Sequence, residues 1–217
     1  MLKKLTEEKL EEVLEAGIIE FADHGLNEAN MSSIAKRAGI SVGVLYKYYE
    51  NKTDFYRACI RRCIAELERS LQEMCGQEKK PLQYAQALVS SVQQFSRQHR
   101  DYIRLYLEVT RTSDGEEAAL LAEAIEGVSS RLYKSIIQKA QEEGNVRGDL
   151  DPRLFAFFFD NLLMMMQFSY CCPYYQERFK LYGGEGILED TDLVTGQLLK
   201  FMESAFTTDQ KDIPHKT

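Results

Sequence analysis

The sequence predicts an all-α protein, and three observations lead to that prediction. The 217 residues include only four prolines and thirteen glycines, so few positions interrupt a helix. Runs rich in Val, Ile and Thr with alternating polarity, which are typical of strands, are absent. Apolar residues recur instead three and four positions apart, as along one face of a helix. We therefore expect about nine helices, three short ones at the front and longer ones behind.

Signals for helix ends place these helices along the chain. A side-chain oxygen at an N-cap accepts a backbone N–H bond, and Thr6, Asn30, Asn51 and Asp151 stand at such positions. Gly25 is expected to end the first helix, because glycine tolerates the left-handed conformation found there. The expected helices lie at about 7–24, 31–38, 41–48, 51–74, 82–98, 100–112, 116–143, 152–171 and 188–206.

Residues 30–49, NMSSIAKRAGISVGVLYKYY, have the spacing of a helix-turn-helix unit. Ile34 and Ala35 share one face of the first short helix, and Gly39 follows Ala35 by four residues. Leu45 returns to the same small core six residues after Gly39. A small residue, a glycine and an aliphatic residue at this spacing let two short helices cross at a steep angle. The second helix of such a unit lies in the major groove of DNA.

That second helix, residues 41–48, carries most of the side chains expected at DNA. Ser41 can cap it, Gly43 lets the backbone approach closely, and the valines on either side of Gly43 can touch thymine methyl groups. The residues predicted to bind DNA are Asn30, Ser32, Lys36, Ser41, Val42, Gly43, Val44, Tyr46, Lys47, Tyr48 and Lys52.

Two alternatives remain open for these side chains. Tyr46 and Tyr49 are expected to be core residues that brace the unit, whatever its function. Lys47 and Tyr48 can reach bases or phosphates, and Lys52 is expected to point at the DNA backbone. A merely solvated face is the alternative for these three, because short helix-turn-helix patterns also arise by chance.

Charge supports DNA binding locally rather than globally. The chain has a formal net charge of −7, yet residues 30–52 contain four basic side chains and one acidic side chain, a net +3. An acidic protein can bind DNA through one basic patch, since affinity depends on the phosphates it neutralises.

The segment from Asn30 to Phe55 resembles the N-terminal signature of the tetracycline-repressor (TetR) family of bacterial transcription regulators. That signature is similar to T-x-x-x-I-A-x-x-A-G-V-S-x-G-x-L-Y-x-H-F-x-s-K-x-x-L, and this chain has N-M-S-S-I-A-K-R-A-G-I-S-V-G-V-L-Y-K-Y-Y-E-N-K-T-D-F. Asn30 stands where threonine is usual, Tyr48 where histidine is frequent and Tyr49 where phenylalanine is frequent.

The resemblance implies two domains and a regulatory function. Residues 1–50 would form the helix-turn-helix domain, and residues 51–217 the ligand-binding and dimerisation domain. A homodimer would bind a palindromic operator and be released by a lipophilic small molecule. Fatty acyl compounds and hydrophobic drugs both fit the family and the aromatic content. The sequence of the ligand-binding and dimerisation domain, which we call the body, diverges widely across the family. The resemblance therefore identifies no effector.

Residues 154–170, LFAFFFDNLLMMMQFSY, include thirteen apolar residues among seventeen. A helix that is apolar on nearly every side is buried on nearly every side. One face can line the core while another meets a second subunit, and the final helix adds a similar stripe. Two such helices from each subunit would form a four-helix interface with two-fold symmetry. The residues predicted at it are Phe158, Leu162, Val194, Leu198, Phe201 and Met202.

A lipophilic pocket is expected among large aromatic residues and methionines of the body. The predicted lining is Phe95, Tyr102, Tyr106, Tyr133, Phe155, Phe159 and Met165, with ordinary core packing as the alternative for each. Residues 171–186, CCPYYQERFKLYGGEG, are expected to connect the last two helices. Three roles stay open for them: covering the pocket, reaching across the dimer, or an ordinary loop.

Five cysteines, an odd number, fit a reducing compartment better than a disulfide framework. Neither Cys59 and Cys63 nor Cys171 and Cys172 have metal-site spacing, so buried thiols are expected in preference to redox sensing. The acidic N-terminus lacks the apolar core of a secretion signal, and no run of 18 apolar residues occurs. A cytoplasmic protein without a cofactor or metal is expected.

The leading hypothesis is therefore a ligand-responsive repressor. A helical enzyme is the second, but the E-x-x-H and H-E-x-x-H motifs and a glycine-rich phosphate loop are absent, and the histidines at 24, 99 and 215 are scattered. An all-α small-molecule-binding protein without DNA binding is the third hypothesis, and an activator instead of a repressor is the fourth. The sequence gives neither the operator nor the regulated genes.

Overall fold

The structure is a computed structural model that describes residues 5–75, 81–111 and 114–206. Within these ranges the only regular elements are ten α-helices, which confirms the predicted fold class. They are α1 (Glu7–Glu28), α2 (Met31–Arg37), α3 (Val42–Tyr48), α4 (Lys52–Cys75), α5 (Pro81–Gln98), α6 (Arg100–Val109), α7 (Gly115–Glu142), α8 (Pro152–Cys171), α9 (Pro173–Gly183) and α10 (Thr191–Phe206).

The chain divides into two compact units that differ from the division expected at residue 50. The first unit lies within residues 1–71 and 98–122, and the second lies within 72–97 and 123–217. The first unit thus adds α6 and much of α4 to the three front helices. The expected boundary is a division by function, and it stays a prediction.

In the first unit, α1 and α4 approach closely at Gly17. A Cβ added there would lie 2.5 Å from the Phe55 ring and 2.7 Å from the Cys59 sulfur. Phe55 is fully buried and contacts Phe21, with ring centroids 5.8 Å apart. A side chain larger than hydrogen at Gly17 would therefore push the two helices apart.

The helix ends agree with the capping signals. Thr6 accepts a hydrogen bond from Lys9 N–H, and Asp151 accepts one from Arg153 N–H at 2.8 Å. At Gly25, with φ 68°, α1 leaves the helical conformation as expected, although helical hydrogen bonding continues to Glu28.

The expected 171–186 connection contains a helix that the sequence pattern did not predict. Here α9 follows α8 directly, with the extended residue Cys172 between them and Pro173 in the first turn. No residue of α9 is buried, although Tyr175 and Phe179 contact the rings of Phe168 and Tyr170 in α8. Two aromatic contacts one turn apart are too short a stripe to produce a periodic pattern. Helix α10 begins at Thr191 rather than at 188, since Asp190 caps it by accepting from Leu193 N–H at 3.1 Å.

Helix α8 is long and apolar enough, by length and composition, to cross a membrane, with a mean hydropathy of 1.3. It is nevertheless 56% buried inside the protein, as the core helix of a globular unit is. Phe155, Phe159 and Leu163 lie in the core of the second unit. Its opposite side remains exposed.

A buried amide links three helices of the second unit. Gln93 of α5 donates to the Tyr170 hydroxyl of α8 at 3.2 Å, and it accepts from the Thr195 hydroxyl of α10 at 3.0 Å. The Cys171 thiol donates to the Ser96 carbonyl oxygen at 3.2 Å. These bonds fix the register in which the apolar helices pack.

Candidate nucleic-acid interface and apolar cavity

Helices α2 and α3 form the helix-turn-helix unit that the spacing predicted. Ile34 and Ala35 of α2 are buried, and Leu45 is the one buried residue of α3. Gly39 has a φ of 65°, and the next amide, Ile40 N–H, donates to the Ala35 carbonyl at 2.9 Å. The turn therefore closes as a left-handed helix end, which reverses the chain within three residues.

Helix α3 is attached to the protein through Leu45 and presents its other side to solvent. Tyr46 is 47% exposed, and Lys47 and Gly43 are also exposed. A Cβ added at Gly43 would meet nothing closer than the Ser41 hydroxyl, 4.0 Å away. Packing within the protein therefore gives no reason for glycine at this helix-interior position.

Two bracing tyrosines were expected, and only one fits that role. Tyr49 is half-buried and packs against the Phe55 ring with centroids 4.6 Å apart, which fits bracing. Tyr46 does not brace the core, because nearly half of its surface faces solvent. Its position one residue after the buried Leu45 turns it away from the core.

Two other predicted DNA contacts have partners within the protein. The Lys52 ammonium donates to the Asn27 and Ala29 carbonyl oxygens, at 2.8 and 3.2 Å, so it binds the end of α1. The Tyr48 hydroxyl accepts a hydrogen bond from Leu5 N–H at 2.6 Å. Proximity along the sequence indicated neither contact, because the partners lie 23 to 43 residues away.

The remaining predicted residues are caps, exposed side chains and two half-buried valines. Asn30 accepts from Ser32 N–H at 2.8 Å and caps α2, while Ser41 caps α3 by accepting from Val44 N–H at 3.3 Å. Ser32 and Lys36 are exposed on α2. Val42 and Val44 are half-buried in α3. Arg37, counted in the local charge but left out of the predicted site, is exposed at the end of α2.

The second unit contains an apolar cavity of about 120 Å³. Aromatic and aliphatic side chains of α5, α7, α8 and α10 form most of its wall, and the segment after α7 supplies the rest. The lining residues are Tyr84, Ala85, Tyr133, Ile136, Ile137, Ala140, Asn145, Val146, Phe159, Met202, Glu203 and Phe206.

Of the seven residues predicted for a pocket, Tyr133 and Phe159 line this cavity. Their rings meet edge to face, with centroids 5.2 Å apart. Phe155 does not line the cavity, but its ring contacts the ring of Phe206, which does, with centroids 4.2 Å apart. Phe95 is buried and Met165 half-buried elsewhere in the second unit.

Tyr102 and Tyr106 belong to α6 in the first unit, away from the cavity lining. The Tyr102 hydroxyl donates to the Glu15 carboxylate of α1. Burial, reinforced by that hydrogen bond, raises the pKa of Tyr102 well above its usual value. Tyr102 is therefore a neutral donor that joins α6 to α1.

The predicted dimer residues lie partly on an exposed apolar surface. Phe158 of α8 is 59% exposed and Phe201 of α10 is 61% exposed. Leu154 and Phe157 of α8 are also more than half exposed, while Met202 is buried and lines the cavity. Three further predicted residues are half-buried: Leu162, Val194 and Leu198. We call Leu154, Phe157, Phe158 and Phe201 the α8–α10 face.

A helix-turn-helix unit joined to a helical body with an apolar cavity defines a class of protein, the helical DNA-binding regulators. Residues 13–59 match the family model described as bacterial regulatory proteins, tetR family. The match covers α1 from Val13, the whole helix-turn-helix unit and the start of α4. Over these residues the chain is similar to this family, as its resemblance at Asn30–Phe55 indicated.

Relatives of known sequence include transcriptional regulators. A probable acrEF/envCD operon repressor from Escherichia coli (strain K12) is 26% identical over 148 residues, which span 65% of this chain and 66% of that protein. The fatty acid metabolism regulator protein of Bacillus subtilis (strain 168) is 27% identical over 150 residues, which span 67% of this chain and 75% of that protein.

Solved structures share the fold across nearly the whole chain. FadR from Bacillus subtilis in complex with stearoyl-CoA matches with a TM-score of 0.72 at 18% identity, over 91% of this chain and 100% of that one. The ketosteroid regulator KstR2 of Mycobacterium tuberculosis matches with a TM-score of 0.69 at 21% identity, over 95% and 98% of the two chains.

Proposed function

We propose that this chain is a ligand-responsive transcriptional repressor, which binds a palindromic operator as a homodimer and leaves it when a lipophilic small molecule binds. One observation carries the proposal: α3 is held by the single buried residue Leu45 and presents an uncharged and basic surface to solvent. A short helix anchored in this way fits the major groove.

Lys36, Arg37 and Lys47 supply the positive charge of this DNA surface. All three are exposed, so each can neutralise a phosphate at little cost in desolvation. Gly43 and the two valines beside it bring an apolar backbone segment close to base edges. Lys52 acts indirectly, since its ammonium joins α1 to the start of α4.

The α8–α10 face is the surface that we assign to dimerisation. Four large apolar side chains, each more than half exposed, rarely form a surface that stays in water. A two-fold axis through this face would pair the face with itself. Two copies of α3 would then read half-sites about 34 Å apart, one turn of DNA.

The cavity lined by Tyr133 and Phe159 is the effector site in this proposal. Its volume, about 120 Å³, is slightly below that of an engineered cavity of roughly 150 Å³ that holds benzene. One aromatic ring or a short branched chain fits without rearrangement. A chain as long as the stearoyl group bound by FadR from Bacillus subtilis would require the side chains around the cavity to move.

Release from DNA requires that the effector bind two conformations with different affinity. An effector can shift the equilibrium only by the free energy of that difference. We propose that binding tilts α4, the long helix that follows the helix-turn-helix unit, and thereby changes the separation of the two α3 helices. Such a protein acts in the cytoplasm and has no catalytic role, and its relatives are regulators.

Selection of a binding site from random duplex DNA tests the proposal. Wild-type protein is expected to enrich a palindrome, with affinity that falls steeply as salt increases. Lys47→Ala should reduce the slope of log K against log salt by about 0.9, the value for one phosphate contact. Lys139→Ala, an equally exposed lysine of α7, is the matched control and should leave the slope unchanged.

Absence of any enriched sequence would contradict DNA recognition and leave a binding protein without operator function. A transcription assay with the selected site placed over a promoter then separates repression from activation. Repression that is relieved by an apolar compound is the expected result.

A further inference from the structure

The apolar cavity of the second unit has one charged side chain in its wall. Among the described residues that line it, Glu203 of α10 is acidic, and lysine and arginine do not occur. Glu203 is exposed, whereas its neighbour Met202 is buried, so the carboxylate lies where the cavity opens to solvent. An apolar molecule in this cavity therefore meets a negative charge at the rim.

Asn145 adds a second acceptor at the rim, where it is also exposed. Its amide nitrogen donates to the Glu143 carboxylate at 3.0 Å. Its carbonyl oxygen accepts no hydrogen bond from a described residue. A carboxylate can accept as many as four hydrogen bonds, so the contacts that Glu203 makes within the protein leave room for another donor. Both side chains thus offer acceptors to a ligand.

The wall itself suits a positive charge. Four of the lining residues are aromatic: Tyr84, Tyr133, Phe159 and Phe206. The face of an aromatic ring carries partial negative charge and attracts a cation, which an aliphatic side chain of similar size does not. A wall of rings with one carboxylate is a combination that stabilises an organic ammonium group.

The cations near the wall in sequence do not belong to it. Arg147 donates to the Asp149 carboxylate at 2.6 Å, and the Lys139 ammonium lies 3.9 Å from the Glu143 carboxylate. Lys134 is also outside the lining. An anionic effector would therefore bring its charge against Glu203 without a cation in the described wall to compensate it.

We propose that the effector of this cavity is an apolar amine that is protonated at neutral pH. Its apolar part fills the cavity, and its ammonium lies at the rim, where the oxygens of Glu203 and Asn145 can receive its hydrogens. The inference rests on the proposed function, in which this cavity is the effector site, and it names the chemical class of the effector. Acids and coenzyme A thioesters, which carry negative charge, are disfavoured by the same wall.

Three probes of similar size measure the charge preference. Benzylamine, benzyl alcohol and benzoate share one aromatic ring and are positive, neutral and negative at neutral pH. Titrations followed by the NMR shifts of protein methyl groups give their dissociation constants. Benzylamine should bind about two- to fivefold more tightly than benzyl alcohol, the effect of one exposed ion pair, and benzoate should bind most weakly. Equal or tighter binding of benzyl alcohol or benzoate would overturn the inference.

Substitution of Glu203 tests whether this carboxylate causes the preference. Glu203→Gln should lower benzylamine affinity to that of benzyl alcohol and leave benzyl alcohol unaffected. Glu203→Lys should make benzoate bind more tightly than benzylamine, a gain of binding that a folding defect does not produce. Glu185→Gln is the matched control, because the Glu185 side chain is 92% exposed outside the lining, and it should keep the wild-type order. An unchanged order in both Glu203 variants would overturn the role of this residue.

Ala140→Leu separates failure of this inference from failure of the proposed function. Ala140 lines the cavity and is buried, so the variant should lose binding of all three probes. Wild-type protein that binds none of them, or Ala140→Leu that binds them equally well, would overturn the cavity as the effector site. Binding that Ala140→Leu abolishes, with benzoate preferred by the wild type, would overturn the amine alone.

Discussion

Glycine occupies two helical positions of the first unit for opposite reasons. At Gly17 a Cβ would collide with Phe55 and Cys59, so the residue is required by packing. At Gly43 a Cβ would meet nothing closer than the Ser41 hydroxyl, 4.0 Å away, so the protein itself does not require glycine there. Glycine is unfavourable in a helix, and Gly43 has no packing role within the protein. Close approach of DNA to this part of α3 is the best explanation for it.

Alanine substitutions at these two glycines should therefore have opposite effects. Gly17→Ala is expected to destabilise the protein by about 1–3 kcal/mol through overpacking. Gly43→Ala should stabilise it by about 1 kcal/mol through helix propensity, yet weaken operator binding roughly tenfold by blocking close approach. Urea unfolding and DNA titration measure the two quantities. Unchanged DNA affinity in Gly43→Ala would contradict the role given to this glycine.

Asp160 is a single acidic residue within the apolar helix α8. Burial, with a smaller effect of the nearby Glu126 charge, raises the pKa of its carboxyl to about 7. A folded-state pKa above the unfolded value means that the folded protein binds the proton more tightly. The stabilising contribution is therefore complete below about pH 4 and is lost as the pH rises through 7.

Asp160→Asn should remove this pH dependence. The variant is expected to be more stable than wild type by about 4 kcal/mol at pH 8 and nearly equal to it at pH 4, since only the ionised form is penalised. Urea unfolding at both pH values measures the difference. Asp192→Asn, at an exposed position of α10, is the control. Equal stabilities of Asp160→Asn and wild type at pH 8 would contradict the raised pKa.

At the scale of elements, α8 has two faces with different functions. Phe155 and Phe159 pack inside the second unit, while Phe157 and Phe158 are about 60% exposed. Consecutive aromatic residues in one helix can face opposite sides, because each residue advances by 100°. The helix therefore supports the core and at the same time offers a surface to a second subunit.

Charge placed on the exposed face should prevent association. Phe158→Glu with Phe201→Glu is expected to yield a monomer that keeps its helical content, because both side chains already face solvent. Leu120→Glu is the control, since Leu120 is 74% exposed on α7, outside this face, and the variant should stay dimeric. Light scattering after size-exclusion chromatography measures the mass. A dimeric double variant would assign the interface to another surface.

Local chemistry explains which elements the sequence predicts and which it does not. Caps and glycine turns act over three or four residues, so Thr6, Asn30 and Gly39 could be assigned from the sequence alone. Helix α9 has no fully buried residue and only a short apolar stripe at Tyr175 and Phe179, so it could not be recognised from periodicity. The partners of Tyr48 and Lys52 are distant in sequence, and only the folded chain brings them together.

The residues of the candidate cavity could likewise be predicted only in part from the sequence. Aromatic content predicted an apolar site in the body, and Tyr133 and Phe159 do line one. Tyr102 has equal aromatic character but lies in the other unit, where Glu15 is its partner. Composition is thus informative about the kind of pocket, whereas the choice among similar side chains depends on how the helices pack.

At the scale of the whole molecule, regulation requires that effector binding and DNA binding be separable. Ala140→Leu should fill part of the cavity, because Ala140 lines it and is buried. We expect the variant to lose the thermal stabilisation that small apolar probes give the wild type, and to keep operator affinity within about threefold of wild type. The variant should then continue to repress transcription when the effector is present.

The control for this variant is Ala119→Leu, an exposed position of α7. It should respond to the apolar probes and to DNA as wild type does. Equal stabilisation of Ala140→Leu and wild type by every probe would place the effector elsewhere in the body.

The buried thiols can report how readily each unit of this protein opens locally. Burial raises the pKa of Cys59 far above its usual value, so the folded first unit offers almost no thiolate to a reagent. Cys171, also fully buried, belongs to the second unit. Alkylation at each site, resolved by peptide mass spectrometry, then proceeds only during transient exposure and reports a local opening free energy for each unit. Comparing alkylation with and without effector would thus show in which unit the ligand raises the free energy of local opening.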